Sequence, residues 1–557
     1  MEPSAKQLAR VKALVAKMTP EEKVGQMILV DPRSLETPDD ISRYHLGGIF
    51  VNGGGAPPPN TMESWISLAE KVQDYALKSS QAIPLLLGTD GVHGHNNLDG
   101  SVLFPHNIGL GAGNNPEQVA EIARITSLAM AATGFNWNFA PCVAVVDNPR
   151  WGRTYESFSS ETETVSRLSA AAVRGVQTDF GSGKARVLAC AKHFIGDGGT
   201  AGGVDRGNTQ MSMGELRARF LPPYIAAIAA GVGSIMLSYN QWNGTPCHAS
   251  RLLISALLKR ELGFKGFVVS DWDAIDNLAP ENRFIDALSL SINAGLDMIM
   301  TSRKYKACHA GLLELLSQGD LPLSRVNDAV ERILTAKAAL GLLDTQRPEL
   351  PSMTAIDHLE NRKIARRAVR ESLVLLKNDA LLPLGSNYKR IHVCGEFADD
   401  IGLQCGGWSI SWQGSKGKIT EGTTILEGLR NLAAPELTVS YSQGVEMPDG
   451  TDLIIAVAGE YPYAEFHGDS KDLELPLDQQ AFLTALTNSD VPVLLILITG
   501  RPLVITPYLD KFEATLVVWL PGTEGDGVAE ALYNRDLPTG KLPMDWPGLR
   551  EHDTIIE

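Results

Sequence analysis

Val187-Leu-Ala-Cys-Ala-Lys-His193, Gly233-Ser-Ile-Met-Leu-Ser238 and Gly266-Phe-Val-Val-Ser-Asp271 are three short apolar runs, each closing on a polar or charged residue. Between them lie Gly214–Ala230 and Arg251–Leu262, whose apolar positions recur at helical spacing. Strand, helix, strand, helix, strand is the pattern of parallel βα units.

The same alternation continues on both sides. Gln26–Val30, Gly47–Val51, Pro84–Thr89 and Asn136–Val145 read as strands on the N-terminal side, and Leu296–Met300 on the C-terminal side. Met62–Leu77, Pro116–Thr133 and Glu161–Gln177 read as helices between them. Eight strands with intervening helices are what a (β/α)8 barrel requires, so residues 1–345 are expected to form a TIM-like barrel with long loops. Its first βα unit is weak, because Asp31–Tyr44 is short for a full helix. Asp344-Thr-Gln-Arg-Pro-Glu-Leu-Pro-Ser352 then breaks the pattern, and a linker is expected over 346–359. Beyond it, a helix at Glu360–Leu376 precedes strands at Ile391–Gly395, Leu437–Tyr441, Asp452–Gly459, Pro492–Thr499 and Ala514–Leu520. Residues 360–557 are therefore expected to form a second domain, an open α/β sandwich of five or six strands.

Composition narrows the function classes. Of 557 residues, 65 are acidic and 49 basic, a formal charge of -16. Such a surface repels nucleic-acid phosphates and anionic lipid, whereas a neutral sugar meets no repulsion. No apolar run approaches the roughly 18 residues of a membrane span. Met1–Met18 reads as an amphipathic helix carrying Lys6, Arg10, Lys12 and Lys17, not as a signal peptide. A cytoplasmic location is expected as the chain is written, and a periplasmic or secreted one if a leader has been removed. Oligomeric state has no signature here. The six cysteines are far apart with no C-x-x-C pair, and are read as small buried hydrophobes.

In a parallel barrel the chemistry sits at the C-terminal strand ends. Those ends carry Asn52, Asp90, Arg150 and Arg153, Lys192–His193, Tyr239–Asn240 and Asp271–Trp272. Polar donors and acceptors beside an aromatic face suit a neutral polyhydroxylated ligand. Asp271 can be a helix N-cap or a carboxylate nucleophile delivered by an apolar strand; Asp273 and Asp276 are read as caps or surface charges. Other patterns fall away. His93-Gly-His95 has no third metal ligand at a telling spacing, and no Gly-Lys-Ser/Thr follows Gly196-Asp-Gly-Gly199. Gly395 lacks G-x-G-x-x-G spacing, and no G-x-S-x-G elbow occurs. Neither a cofactor nor a metal is expected.

Longer motifs carry a resemblance. Gly88-Thr-Asp-Gly-Val-His-Gly-His-Asn-Asn97, Leu103-Phe-Pro-His-Asn-Ile-Gly-Leu-Gly111, Arg150-Trp-Gly-Arg-Thr-Tyr-Glu-Ser157, Ala191-Lys-His-Phe-Ile-Gly-Asp-Gly-Gly-Thr200 and Val268-Val-Ser-Asp-Trp-Asp273 resemble glycoside hydrolase family 3. So do Cys405-Gly-Gly-Trp-Ser-Ile-Ser-Trp-Gln-Gly414 and Gly459-Glu-Tyr-Pro-Tyr-Ala-Glu-Phe-His-Gly-Asp469 beyond the linker. The order is the family's, and the chain looks most like its two-domain exo-β-glucan glucohydrolases.

The resemblance implies a retaining, exo-acting β-glucosidase acting on β-glucans or β-gluco-oligosaccharides. It implies Asp271 as nucleophile and Glu465 as acid/base from the second domain, with Glu460 the substitute if that assignment fails. It implies Asp90, Arg153, Lys192, His193 and Tyr239 around the terminal glucose, and Trp272 and Trp412, with Trp408 close by, around the next sugar. Single-domain β-N-acetylglucosaminidases of the family carry a catalytic His where this chain has Asp197, which argues against that branch. The rival readings are a β-xylosidase or β-N-acetylglucosaminidase of the same family, or a catalytically silent sugar-binding protein.

Overall fold

The computed structural model describes residues 3–181, 183–351, 358–385, 388–534 and 537–549. Eight parallel strands follow one another around a barrel: β1 Ile28–Val30, β2 Gly48–Val51, β3 Leu86–Thr89, β4 Trp137–Asn138, β5 Leu188–Phe194, β6 Ser234–Leu237, β7 Phe267–Val269 and β8 Ile299–Thr301. β1 pairs with β8 in register Ile28 to Ile299. The ring closes between β7 and β8, where Val269 bridges Met298 and the Asp297 N–H donates to the Val268 carbonyl at 2.9 Å. Side chains fill the interior. Trp137 meets Phe139 and Phe267 edge-on, and its indole N–H donates to Ser234 Oγ at 2.8 Å, which satisfies the polar atom that burial would otherwise strand.

Several boundaries differ from expectation for local reasons. β1 starts two residues late because Pro20–Gln26 is a helix, opened by Thr19 and Glu22 in a reciprocal cap. β4 is two residues long instead of ten: past Asn138 the chain reaches Pro141, which has no N–H for a ladder, and stays beside β5 through irregular bonds, Cys190 N–H to the Ala140 carbonyl at 3.0 Å, Lys192 N–H to the Pro141 carbonyl at 3.1 Å and Val143 N–H to the Lys192 carbonyl at 2.8 Å. The helix expected over Gly214–Ala230 is broken. It becomes Met213–Glu215, a wide-turn segment Leu216–Phe220, and Pro222–Ala229 opening on two prolines. Asp31–Tyr44 holds only the short turns Pro32–Ser34 and Asp40–Arg43.

The second sheet has six strands: β9 Val374–Asn378, β10 Arg390–Cys394, β11 Thr438–Ser442, β12 Leu453–Gly459, β13 Val493–Ile498 and β14 Ala514–Trp519. Their order is β9-β14-β13-β12-β10-β11, parallel except for the antiparallel β9–β14 pair. The helix expected to reach Leu376 stops at Ser372, since Val374, Leu375 and Leu376 are buried in the sheet. Of the expected linker, residues 352–357 lie outside the described residues. All six cysteines are free and buried, and among the described residues no helix is long and apolar enough to cross a membrane.

The barrel rim and the second sheet are bonded directly. Tyr155 donates to the Tyr463 carbonyl at 2.6 Å, and the Ile410 N–H to the Asn96 carbonyl at 2.7 Å. His93, drawn down to about 4 by burial, is neutral; Nδ1 pairs with the Phe104 carbonyl at 2.9 Å and Nε2 with Ser409 Oγ at 3.1 Å. His93 of the His93-Gly-His95 motif is thus interface structure, whereas His95 is bonded within the barrel, its Nε2 on Thr133 Oγ1 at 3.1 Å.

Candidate active site

At the C-terminal mouth of the barrel a cavity of about 330 Å³ opens beneath the second domain. Asp90 after β3, Lys192 and His193 at the end of β5, and Asp271 and Trp272 after β7 reach it from the barrel; Trp408, Trp412 and Glu465 reach it from above. Close packing of two backbones makes this possible. A Cβ on Gly152 would stand 1.9 Å from the Glu465 carbonyl oxygen, and one on Gly53 would stand 3.0 Å from Trp412 Cα.

Charges are paired around the floor. Lys192 Nζ donates to Asp90 Oδ1 at 2.7 Å. Burial opposes the lysine's charge, but the Asp90 carboxylate outweighs it and lifts the ammonium above its ordinary range. His193 Nδ1 faces Asp197 Oδ2 at 3.0 Å, while Nε2 lies 3.8 Å from Asp271 Oδ2. Burial, with Arg153 and Lys192 beside it, holds this imidazole far below its usual range. With Nδ1–H given to Asp197, Nε2 presents a lone pair to the cavity.

Asp271 is fixed from both sides. Its own N–H donates to His248 Nε2 at 3.0 Å, and Oδ1 accepts the Trp272 N–H at 2.6 Å. Burial first, and then the negative charge of Glu465, push its carboxyl up to about 7, against the opposing pull of Arg153 and Arg206. Asp273 and Asp276 are half-buried and bonded to the loop after β8: Asp273 makes no cap bond and its Oδ1 accepts the Ser302 N–H at 2.7 Å, while Asp276 pairs with Lys304 at 2.8 Å.

Glu465 stands between two guanidiniums. Arg206 Nη2 donates to Oε2, and Arg153 Nη1 lies 3.4 Å from Oε1. Arg153 is itself gripped by Glu156 through two 2.8 Å bonds, and Glu156 Oε1 also accepts the Trp408 indole N–H at 3.1 Å. Glu460 faces elsewhere: Oε1 pairs with Arg501 at 3.0 Å and Oε2 accepts from Thr499 at 2.8 Å. Tyr239 is one layer back from the cavity wall, donating its hydroxyl to the Trp272 carbonyl and carrying Arg206 over its ring at 4.2 Å.

Arg206, Glu156 and Phe466 were not singled out by sequence. Phe466 lines the cavity mouth beside Trp412, rings 5.9 Å apart. Glu156 acts through Arg153, and Arg206 comes from a loop rather than a strand end. Among the described residues one group of possible metal ligands converges, Cys142, His193 and Asp197, with donor atoms within 4.8 Å. Burial holds the Cys142 thiol protonated, and His193 Nδ1 is already engaged with Asp197.

Comparison with known proteins fits this arrangement. Residues 19–336 match the glycosyl hydrolase family 3 N terminal domain, and residues 373–555 match the family's C-terminal domain. The chain belongs to glycosyl hydrolase family 3. This family 3 chain is a glycoside hydrolase. It is 33% identical to a lysosomal beta glucosidase of Dictyostelium discoideum, over 96% of this chain and 71% of that protein. A periplasmic beta-glucosidase of Salmonella typhimurium is 29% identical, over 97% and 74%. The crystal structure of an exo-1,3/1,4-beta-glucanase from a Pseudoalteromonas species superposes with a TM-score of 0.93 at 38% identity, covering 100% of this chain and 72% of that one. A beta-glucosidase from Listeria innocua in complex with glucose gives 0.85 at 28% identity, covering 97% and 76%.

Proposed function

We propose that this family 3 hydrolase is a retaining, exo-acting β-glucosidase that removes single glucose units from the non-reducing ends of β-glucans and β-gluco-oligosaccharides. One observation carries the reading: Asp271 from the barrel and Glu465 from the second domain line the same cavity, near enough that the charge of Glu465 acts on Asp271. A retaining glycosidase needs such a pair, one carboxylate to attack and one acid to protonate.

The Asp271 carboxylate forms a bond to the anomeric carbon while the glycosidic C–O bond breaks, and Glu465 gives its proton to the departing oxygen. Glu465 then takes a proton from water, the water oxygen bonds to the anomeric carbon, and the ester to Asp271 opens. Lys192, Arg153 and His193 bind hydroxyls of the terminal glucose, and Asp90 accepts from them. Trp272 and Trp412 hold the next ring by their faces. The exo-glucanase and β-glucosidase names of the relatives, and the glucose and laminaribiose bound to the Listeria enzyme and its variant, support a β-linked glucose substrate.

The test is a time course on laminari-oligomers followed by NMR of the anomeric proton. β-Glucose as the first product is expected. A disaccharide as the first product overturns the exo reading, and α-glucose overturns retention.

A further inference from the structure

The two guanidiniums on Glu465 are not equivalent. Arg206 is bonded to Oε2, whereas Arg153 stands 3.4 Å from Oε1, with its Nε and Nη2 given to Glu156. Arg206 is itself immobilised. Its guanidinium lies between Tyr239 and Phe466, 4.2 and 4.7 Å from the ring centroids, and its backbone takes a φ of 60°, the left-handed region. Tyr239 is in turn bonded to the carbonyl of Trp272, next to Asp271. The clamp therefore ties the acid on one domain to the strand end that carries the carboxylate on the other.

We propose that Arg206 is a positioning residue for Glu465: it reserves Oε2 and thereby assigns Oε1 as the oxygen that gives and takes the catalytic proton. The inference rests on the reading of Glu465 as acid/base. An oxygen accepting from a guanidinium has hydrogens pointed at it, so a proton placed there would oppose them. Oε1 has only the looser contact with Arg153, outside ordinary hydrogen-bond length, on a residue that lines the cavity. In the first step the Oε1–H bond breaks and its proton moves to the leaving-group oxygen. In the second, Oε1 takes a proton from the attacking water. Without Arg206 the carboxyl rotates, and the proton is no longer aimed at the leaving oxygen.

The test compares kcat/KM for the unaltered enzyme, Arg206→Met, Arg206→Lys and Glu465→Gln across aryl β-glucosides, from 2,4-dinitrophenyl, which departs without protonation, to phenyl, which does not. Arg206→Met is expected to lose about 100-fold on the phenyl glucoside but under about tenfold on the dinitrophenyl one, the range of general-acid contributions. Arg206→Lys, which keeps one donor for Oε2, should recover part of the phenyl activity. Equal losses across the series, or none, in Arg206→Met beside a leaving-group-dependent Glu465→Gln would overturn the inference and leave the acid/base reading standing. A Glu465→Gln enzyme with no leaving-group dependence would overturn both. Glucose affinity and melting temperature, measured on each variant, separate these outcomes from misfolding.

Discussion

Arg153 Nη1 stands 3.4 Å from Glu465 Oε1, so a guanidinium rooted in the barrel reaches a carboxylate rooted in the second domain. The contact belongs to a chain. Glu156 holds Arg153 from below and also accepts the Trp408 indole, which belongs to the second domain. Burial of Arg153 is sustained because each of its charged neighbours is itself bonded. Packing of the two domains and placement of the acid are therefore one structural event, and disturbing the first disturbs the second.

The pH profile should report the Asp271–Glu465 coupling. Asp271 must be ionised to attack, and its carboxyl is raised to about 7, so kcat/KM on dinitrophenyl β-glucoside should fall as pH drops below about 7. The negative charge of Glu465 contributes to that rise, so removing it eases ionisation of Asp271. Glu465→Gln should therefore shift the acid limb to lower pH on this substrate, which needs no acid. A limb that stays in place or moves upward would show that Glu465 does not act on Asp271.

The same carboxyl should cost stability at neutral pH. Its folded value lies above the ordinary 3.8, so between about 4 and 7 the unfolded chain has released a proton that the folded one keeps. Stability from this group is full below about 4 and declines as pH rises to about 7. Asp271→Asn should therefore raise the unfolding free energy by about 1–3 kcal/mol at pH 8, and by much less at pH 4. Denaturant titrations at the two pH values check this; an equal gain at both would contradict it.

Lys337 offers a second linkage test, remote from the site. It is fully buried, its Nζ bonded to Gln26 Oε1 at 2.7 Å with no carboxylate paired to it among the described residues, and burial lowers it to about 7. The unfolded chain therefore binds a proton that the folded chain refuses between about 7 and 10.5, and stability rises with pH across that window. Lys337→Met should stabilise by about 1–3 kcal/mol at pH 7. The gain should shrink toward pH 10, and a gain that grows with pH would refute the assignment.

What could be read from sequence follows from burial. Barrel strands covered on both faces appear as unbroken apolar runs, so all eight are visible, and their polar ends mark Asp90, Lys192, His193 and Asp271. The same property misleads where an apolar run outlasts its regular ladder, as at β4 past Asn138, or joins a helix without punctuation, as at Leu373 before β9. Tyr239 ends a strand yet points behind the wall, where it carries Arg206. Arg206 has no strand end, motif or period to announce it; its role comes from a loop folding back over Tyr239 toward the other domain.

Gly152 is where domain packing and acid placement can be separated from chemistry. An added Cβ would meet the Glu465 carbonyl at 1.9 Å and the Asp469 N and Gly468 C at 2.8 Å, all backbone atoms that cannot rotate aside. The Gly152 N–H also donates to Asp469 Oδ1 at 2.9 Å, so the loop is held against this spot. Gly152→Ala should force the Glu465 loop away from the barrel and lower stability by about 1–3 kcal/mol. Displacing the acid by a fraction of an ångström or more should cut kcat/KM on the phenyl glucoside by about 100-fold, and on the dinitrophenyl glucoside by less. Gly319→Ala is the control: its φ is +82° but open space surrounds it, so it carries backbone strain alone, far from the cavity. That variant should lose about 1 kcal/mol of stability with unchanged kcat/KM. If Gly152→Ala behaves like the control, the interface yields without moving Glu465, and the coupling between packing and catalysis is absent.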